Sequence, residues 1–346
     1  MNHRPIARCR AGLMHALMWL ALSCASVVAQ PFYQGKTVTI VVGGAAGISF
    51  DAYARVLARH LPGFIPGSPG IIIQNMPGAG SKLAAEYLFT HAPKDGTTLA
   101  LLFPGALTDP LIETAKPRYD PTRFEYLGTL DQDTHICLTA LSSNVKRFED
   151  AKEHATVMAG TQPGSATVDY PMMLNALVGT KFKVVSGYKS TNETILAVER
   201  GEAEGMCSNL NVFVSQKPEW IGSRQSNVVL QIALDPNPML TRLGVPQIWS
   251  HVSAENRPVV ELIVARQVFG RPFALPPDVA QAQLAIMRTA FMATVAHTAF
   301  VKEIADLKLD LNPLDGAKVG ELIKTMYAAP KSVSERMAKA LRSTGP

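Results

Sequence analysis

The sequence predicts an α/β protein of two units, each a mainly parallel sheet flanked by helices. Strand-like and helix-like stretches alternate along the 346-residue chain, first over 37–103 and again over 135–234. Hydrophobic residues make up 47% of the chain and charged residues 18%, which is the composition of a globular protein with a sizeable core. Periodicity alone leaves open whether the two units are consecutive domains or two lobes between which the chain crosses and returns.

Residues 1–29 have the pattern of a cleaved secretory signal peptide. The basic residues Arg4, Arg8 and Arg10 precede an uncharged apolar run that ends in small residues at Ala29. A retained membrane anchor is the alternative, but the run is short for a bilayer span and contains His15. We therefore expect cleavage after residue 29 and a mature protein in the periplasm.

Loss of the leader changes the charge and the cysteine count. The formal charge falls from +5 to about +2, which is too low to indicate binding to nucleic acid or to a membrane surface. Cys9 and Cys24 are removed, so that Cys137 and Cys207 remain. These two cysteines form either one disulfide in an oxidising compartment or two buried thiols, and the sequence leaves both possibilities open.

The first unit follows a strand, helix, strand, helix, strand order. Its strands are short β-branched or apolar runs that stop at glycine or proline, and its helices have apolar residues on one face. The predicted elements are strand 37–42, helix 51–60, strand 70–75, helix 81–90 and strand 97–103.

The second unit repeats the alternation and is followed by helices. The predicted strands cover 135–141, 155–160, 182–188, 203–207 and 227–234, with helices over 170–178 and 191–200. The apolar run VELIVARQVFG, 260–270, is predicted to be a further strand. Two helical regions follow it, over 277–307 and over 316–341 with a break at Pro330.

Two glycine-rich loops follow neighbouring strands of the first unit. They are GGAAGISFD, which ends at Asp51, and NMPGAGSK, which ends at Lys82. Such loops allow close approach to the backbone, and the helix N-termini beyond them attract anions. Ser49 and Ser81 either cap the helices or donate to a ligand. Lys82 is interpreted as a solvated side chain and Asp51 mainly as structural.

No enzyme motif is found. The sequence lacks GxSxG, HExxH, CxxC and GxxxxGK[ST], and its eight histidines have no metal-ligand spacing. We therefore predict a protein without catalytic residues, cofactor or metal.

Several segments resemble the Bug family, the periplasmic receptors of tripartite tricarboxylate transporters. NMPGAGS followed by APKDGT is fairly specific for these receptors, and GYK with AVERGEAEG supports the same assignment. Further similar segments are FEYLGTL and GRPFALPPDV, so that the resemblance covers essentially the whole mature chain.

The resemblance implies a two-lobed class II periplasmic-binding-protein fold with a ligand cleft between the lobes. One lobe combines 30–130 with 255–346, and the other comprises 131–254. The hinge is expected near 130–135 and 252–260. In such folds the strands that contain Cys137 and Cys207 can be neighbours, which would bring these cysteines together.

The resemblance also implies where a ligand binds. Family members hold a carboxylate between the first two loops, largely through backbone groups and bridging water. Side chains of the second lobe then select the rest of the ligand. By position, the implied ligand-binding residues are Gly47, Ile48, Ser49, Asp51, Gly78, Ala79, Gly80, Ser81, Ser165, Thr167, Tyr188 and Asn209.

One segment departs from the family pattern. Similar receptors usually have a glycine-rich stretch before the aspartate of the first loop, and here it is Ile48, Ser49 and Phe50. The bulk of these residues narrows the approach to the backbone. Phe50, Phe103, Tyr170 and Tyr188 either line a pocket for an aromatic acid or belong to the core.

The predicted function is capture of a small carboxylate by a monomeric receptor, which delivers it to the permease subunits of a tripartite tricarboxylate transporter. Closure of the lobes would accompany binding. A ligand-sensing receptor for a membrane signalling protein is the alternative, and a secreted hydrolase is a third, for which no nucleophile is visible.

Overall fold

A computed structural model describes residues 30–111, 117–162 and 164–342. The predicted leader, 1–29, lies outside the described residues. Among the helices that are described, none is by itself long and apolar enough to cross a membrane. The helices Gln281–Ala296 and Thr298–Asp306, bent at 61°, pass the length and composition test only as a pair.

The strands form two separate sheets. In chain order they are β1 (Thr37–Val42), β2 (Gly70–Asn75), β3 (Thr98–Leu101), β4 (Glu125–Thr129), β5 (His135–Ala140), β6 (Thr156–Gly160), β7 (Phe182–Ser186), β8 (Gly205–Asn209), β9 (Ser226–Ile232), β10 (Pro272–Leu275) and β11 (Leu314–Asp315). The first sheet has the order β11-β4-β10-β3-β1-β2, and the second has the order β7-β6-β8-β5-β9.

Helices cover the sheets. They are α1 (Ser49–His60), α2 (Lys82–Thr90), α3 (Pro104–Thr108), α4 (Asp150–Glu153), α5 (Ala166–Val178), α6 (Thr191–Glu199), α7 (Leu210–Gln216), α8 (Pro218–Ile221), α9 (Pro238–Arg242), α10 (Arg257–Val264), α11 (Gln281–Ala296), α12 (Thr298–Asp306), α13 (Gly316–Tyr327) and α14 (Lys331–Arg342). Short 3-10 turns lie at Leu61–Phe64, Ala79–Ser81, Asp109–Leu111, Pro121–Arg123, Ile248–Ser250 and Ala265–Phe269.

Both sheets are mixed, with parallel pairing at the strands that carry the predicted loops. β1 pairs in parallel with β2 and β3, and β6 pairs in parallel with β7 and β8. β10 and β5 run antiparallel to their neighbours. The loops after β1 and β2 therefore leave the same edge of the first sheet, as the sequence predicted. The predicted α/β fold class, with two sheets flanked by helices, is confirmed.

The local sequence explains the first elements. Val38, Ile40, Val41 and Val42 of β1 are fully buried, which fits a β-branched strand in the middle of a sheet. α1 is amphipathic, and it turns apolar residues such as Leu57 toward the core.

The prediction of a strand at 260–270 was wrong. This segment contains most of α10 and a 3-10 turn at Ala265–Phe269. Val259, Val260, Leu262 and Ile263 are all at most 5% exposed, whereas Arg257, Pro258 and Glu261 are exposed on the other face, so α10 is amphipathic. The predicted strand began at Val260 and so left out Arg257 and Pro258, two of the three residues that reveal the helical period.

One hydrophobic cluster includes residues of both sheets. It contains Val41 and Ala100 from the first sheet, Met158 and Leu230 from the second, and apolar residues of α10 and α13. Two further clusters lie on the other faces, one within the first lobe and one within the second.

The chain crosses between the sheets along two adjacent segments. Leu130 N donates to Arg271 O at 3.1 Å, Gly270 N donates to Asp131 O at 3.1 Å, and Asp133 N donates to Gln267 O at 3.0 Å. Residues 130–133 and 267–271 thus lie side by side. The predicted second crossing, 252–260, precedes this pair, and the domain boundaries stay a prediction.

Cys137 and Cys207 face each other across β5 and β8. Their Cα atoms are 4.0 Å apart, and the structure joins the two residues in a disulfide. Both cysteines are 0% exposed. The bond therefore lies inside the second lobe and connects its antiparallel strand to the parallel part of the sheet.

Candidate functional site

The first predicted loop connects β1 to α1. Its backbone turns at Gly47, whose φ of +85° lies in the left-handed region. Gly47 N donates to Asp51 Oδ2 at 2.9 Å, and Arg55 Nε donates to the same oxygen at 2.8 Å. Asn75 Nδ2 donates to Asp51 Oδ1 at 3.0 Å. Asp51 is 2% exposed, and both of its carboxylate oxygens accept hydrogen bonds that fix the loop.

These contacts keep Asp51 charged. Burial raises the pKa of this carboxyl, but the hydrogen bonds from Arg55, Gly47 and Asn75 outweigh burial and leave the pKa below its usual value. The negative charge of Asp51 is thus compensated within the first lobe. These contacts agree with the interpretation of Asp51 from the sequence as mainly structural.

The exposed side of the first loop presents backbone groups. Ile48 and Ser49 are exposed, and α1 begins at Ser49. Ile48, at the N-cap position, supplies no side-chain hydrogen bond to the helix. The first N–H groups of an α-helix lack intrahelical acceptors and lie at the positive end of its dipole. The N-terminus of α1 therefore has the chemistry of an anion site.

The second predicted loop has four consecutive residues with positive φ. The angles are 143° at Gly78, 46° at Ala79, 63° at Gly80 and 75° at Ser81. Because Ala79 and Ser81 carry a Cβ atom, each of them pays on the order of 1 kcal/mol for this conformation. Such backbone persists only where neighbouring contacts hold it. Ala79 and Gly80 are exposed.

Ser81 provides these contacts. It is 0% exposed, and its Oγ donates to Gly43 O at 2.8 Å and accepts from Phe103 N at 3.1 Å. The hydroxyl joins the ends of β1, β2 and β3. It is therefore engaged inside the protein, and the solvent-facing groups of this loop are those of Gly78, Ala79 and Gly80.

Aromatic side chains lie beside the two loops. The rings of Phe50 and Phe103 are 4.3 Å apart between centroids. The guanidinium of Arg271 lies 4.3 Å from the Phe50 ring centroid and 4.9 Å from that of Tyr53. Arg271 comes from the second crossing segment, so it connects the first helix to the junction of the lobes.

In the second lobe, Ser165 and Thr167 form a hydroxyl cluster with Thr161. Thr161 Oγ1 donates to Ser165 Oγ at 2.8 Å, Ser165 Oγ and Thr167 Oγ1 are 2.8 Å apart, and Thr161 N donates to Thr167 Oγ1 at 2.9 Å. Thr167 is buried and Ser165 is half-buried. The structure thus brings two predicted residues together where β6 leads into α5.

Asp169 has the same role in the second lobe as Asp51 has in the first. Gly164, with φ of +87°, donates its N–H to Asp169 Oδ1 at 2.9 Å. The other carboxylate oxygen pairs with Arg266 NH1 at 3.4 Å. Asp169 was not among the site residues predicted from the sequence. The signal was present, because both loops have a glycine four or five residues before an aspartate in the first turn of a helix.

Tyr188 and Asn209 lie at the ends of neighbouring strands. Tyr188 N donates to Gly160 O at 3.3 Å, which places Tyr188 beside the end of β6. Its ring is half-buried against the core of the second lobe. Asn209 caps α7, and its Oδ1 accepts from Asn211 N at 2.8 Å. Both residues are therefore at the loop edge of the second sheet.

A chain of ion pairs connects the two lobes. Lys82 Nζ lies 3.6 Å from Asp109 Oδ2, and Asp109 Oδ1 lies 3.4 Å from Arg266 NH2. Arg266 in turn pairs with Asp169. Lys82, interpreted from the sequence as a solvated side chain, is thus part of this network. Arg266 was missed because its segment was predicted to be a strand.

Two grooves lie away from the predicted ligand-binding residues. The first, of about 560 Å³, lies between residues 233–238 and α13. The second, of about 540 Å³, is lined by Trp249, by α10 and by the segment from α13 to the start of α14. None of the predicted ligand-binding residues lines them. Within the described ranges, no group of three His, Cys, Asp or Glu side chains could hold a metal ion.

Comparison with known proteins gives one curated relative and several solved structures. The relative is the "UPF0065 protein in gbd 5'region" of Cupriavidus necator, 29% identical over 222 residues, which are 62% of this chain. The match spans 63% of that relative's length. No family model matches the sequence.

The solved structures match along nearly their full length. A TctC solute-binding protein from Polaromonas has a TM-score of 0.69 at 15% identity, with 87% of this chain and 98% of that chain covered. The fold is that of the TctC and Bug binding proteins. The periplasmic binding protein BugD gives 0.58 at 19% identity, with 89% and 98% covered. MatC from Rhodopseudomonas palustris, solved with bound malate, gives 0.56 at 19% identity, with 88% and 99% covered.

The resemblance to the Bug family read from the sequence is confirmed. The Bug-type fold brings the first two loops together at one sheet edge and brings Ser165 and Thr167 together at an edge of the other sheet. It turns the side chains of Asp51 and Ser81 inward, as supports of the loops.

Proposed function

We propose that this protein is a periplasmic solute receptor that captures a small carboxylate between its lobes and delivers it to the permease of a tripartite tricarboxylate transporter. In this proposal the chain is exported by a cleaved leader, 1–29, acts as a monomer and catalyses no reaction. The bound carboxylate would lie between the first two loops, in contact with backbone N–H groups.

The observation that carries the proposal is the construction of these loops. Their exposed residues, Ile48, Ser49, Ala79 and Gly80, present backbone at a helix N-terminus. Their buried residues support the loops, since Asp51 accepts a hydrogen bond from Gly47 N and Ser81 Oγ donates one to Gly43 O. A site whose supporting side chains are already paired is preorganised for a ligand. MatC, which has the same fold, was solved with malate.

The second lobe would complete the site. Its loop at Ser165 and Thr167 is held by Asp169, in the same way that Asp51 holds the first loop. Ser165, Thr167, Tyr188 and Asn209 are the side chains proposed to select the rest of the ligand. A ligand that contacts both lobes binds the closed form better and therefore shifts the protein toward closure.

Thermal unfolding of residues 30–346 with matched ligands tests the proposal. The panel pairs aliphatic dicarboxylic acids with their monoamides and with their uncharged diamides. A carboxylate ligand at about 100 times its Kd should add about 2.7 kcal/mol to the free energy of unfolding, and the diamides should add nothing. Equal stabilisation by a diamide, or no response to any acid, would contradict carboxylate capture.

The variant Ser49→Pro locates the site. Ser49 is the first residue of α1 and follows an extended Ile48, so a proline fits there and removes one backbone N–H. We expect affinity for the captured acid to fall at least tenfold in isothermal titration, because one donor to the anion is lost. Ser49→Ala, the matched control, keeps the N–H and should bind within threefold of the unchanged protein.

A further inference from the structure

The exposed side of the first loop carries a large apolar side chain. Ile48 is 37% exposed, and it occupies the N-cap position of α1, beside the backbone N–H groups proposed to hold the carboxylate. Serine, threonine, aspartate and asparagine are the usual N-caps, because their side chains accept a hydrogen bond from the helix. An isoleucine cannot make that bond, so its side chain is available for contacts outside the helix.

Two aromatic side chains continue this apolar surface. A Cβ atom placed on the buried Gly44 would lie 2.5 Å from Ile48 Cδ1 and 3.1 Å from Phe103 Cζ, so both side chains pack on the same glycine. The rings of Phe103 and Phe50 are 4.3 Å apart between centroids. Both phenylalanines are half-buried, so each keeps part of its surface open. We call Ile48, Phe50 and Phe103 the apolar wall.

The apolar wall lies beside the junction of the lobes. Pro104, which follows Phe103, lines a cavity of about 150 Å³ whose other side includes Gly164 and Ala166 of the second lobe. A ligand held at the first loop and covered by the second lobe would therefore contact the wall with the part that leads away from its carboxylate.

Cations near the two loops are already paired with aspartates. Arg55 pairs with Asp51. Lys82 and Arg266 both pair with Asp109. A second carboxylate on the ligand would have to compete with these aspartates for each cation.

Arg271 supports the wall from within the first lobe. Its guanidinium lies over the rings of Phe50 and Tyr53, at 4.3 Å and 4.9 Å from their centroids, and its Nη1 donates to Gly270 O at 2.6 Å. Burial raises the pKa of Asp310, and the charge of Arg271 opposes this effect. Arg271 thus fixes the Phe50 ring, and its charge acts on an aspartate of the same lobe.

The hydroxyl cluster of the second lobe already uses its hydrogens. Thr161 Oγ1 donates to Ser165 Oγ, and Ser165 Oγ donates to Gln162 O at 2.6 Å. Thr167 Oγ1 lies 2.8 Å from Ser165 Oγ and 3.0 Å from Thr161 Oγ1, so its hydrogen also bonds within the cluster. A carboxylate only accepts hydrogen bonds, and it would have to break one of these bonds to gain one.

We propose that this site selects a monocarboxylate with an apolar body, which packs on Ile48, Phe50 and Phe103. The inference rests on the proposed function, because the loops hold the carboxylate end. Burial of the ligand's apolar surface against the wall favours binding. A second carboxylate at the same place would lose its water without gaining a donor from the wall or from the hydroxyl cluster.

Isothermal titration of residues 30–346 with matched acids tests this inference. The pairs are hexanoate against adipate and 4-methylbenzoate against terephthalate, in which a methyl group replaces the second carboxylate. Hexanamide and 4-methylbenzamide are the controls that lack a charge, and they should not bind. In the pair that contains the tightest ligand, we expect the monoacid to bind at least tenfold more tightly than its diacid.

The outcomes separate this inference from the proposed function. A smaller ratio, or tighter binding of the diacid, would overturn the apolar preference and leave carboxylate capture in place. Binding of none of the acids, or equal binding of an acid and its amide, would overturn both.

The variant Ile48→Ser assigns the preference to the wall. Serine is a favourable N-cap, so the variant should fold, and it lacks the exposed apolar side chain. We expect the ratio of affinities for monoacid and diacid to fall at least threefold. Leu141→Ser is the matched control, since Leu141 is 51% exposed and follows the end of β5 opposite the crossing segment. An unchanged ratio in Ile48→Ser, or an equal fall in Leu141→Ser, would overturn the assignment to the wall.

Discussion

Ser81 is the residue on which the geometry of the candidate site depends most. Its hydroxyl hydrogen-bonds to groups at the ends of β1 and β3, while its own backbone follows β2 in a left-handed conformation. The Ser81 side chain packs directly against the backbone of Gly43. A Cβ atom at Gly43 would lie 1.8 Å from Ser81 Oγ and 2.7 Å from Ser81 Cβ. Gly43 is thus required by a close contact within the site.

Gly43→Ala should therefore destabilise the protein. The added methyl group displaces Ser81 from its two hydrogen bonds, and overpacking of this kind costs about 1–3 kcal/mol. Urea unfolding followed by circular dichroism measures the change. Gly63→Ala is the control, since a Cβ atom there meets nothing within 4 Å. Equal stability of the two variants would show that the contact between Gly43 and Ser81 is not tight.

At the scale of elements, the second lobe depends on the pairing of β5 with β8. β5 is antiparallel to its neighbours and follows directly on the first crossing segment, so it has no helix connection that sets its position. The disulfide between Cys137 and Cys207 joins it to β8, which leads into the predicted site residue Asn209. The bond closes a separation of 70 residues.

The double variant Cys137→Ala, Cys207→Ala tests the contribution of this bond. Without the bond the unfolded chain has more conformational entropy, so the free energy of unfolding should fall by about 2–5 kcal/mol in guanidinium titrations. Thiol titration of the unchanged protein, unfolded without reductant, should detect no free cysteine in residues 30–346. Two free thiols, together with a stability change below about 1 kcal/mol, would show that the cysteines are unbonded in solution.

At the scale of the whole molecule, the first crossing segment carries an acidic pair, the buried Asp131 and the partly exposed Asp133. Asp131 is 2% exposed. Burial raises its pKa to about 8, and the neighbouring Asp133 and Asp310 add to the effect, while Arg271 opposes it. Asp131 is therefore mostly protonated at neutral pH. The proton lets two carboxyl groups lie together where the lobes join.

This arrangement predicts a pH dependence of stability. Because the folded pKa of Asp131 is above the unfolded value near 4, its stabilising contribution is full below about pH 4 and is lost as the pH rises through about 8. Asp131→Asn should flatten the decline in the free energy of unfolding between pH 5.5 and 8.5. Urea titrations at these two pH values measure it.

The control for this experiment is an exposed aspartate. A hydrogen bond from Lys94 lowers the pKa of Asp278, so Asp278 stays ionised across the same interval. Asp278→Asn should therefore keep the slope of the unchanged protein. An unchanged slope in Asp131→Asn would contradict the protonated state of Asp131.

The sequence by itself determined the alternation of strands and helices over 37–101 and 135–232, the two loops that follow β1 and β2, and the second-lobe loops where polar residues gather. It did not predict β4, β10 and β11 of the first sheet. These features are local, since residue spacing and glycine content decide them. Only the tertiary structure decided that Asp51 and Ser81 turn inward, because their partners Asn75 and Phe103 lie on β2 and just after β3. The apolar run from Val260 concealed α10, because two residues of its exposed face, Arg257 and Pro258, precede that run. The ion pairs that run from Lys82 through Asp109 to Arg266 join residues up to 184 positions apart, and contacts over such separations arise only when the chain has folded.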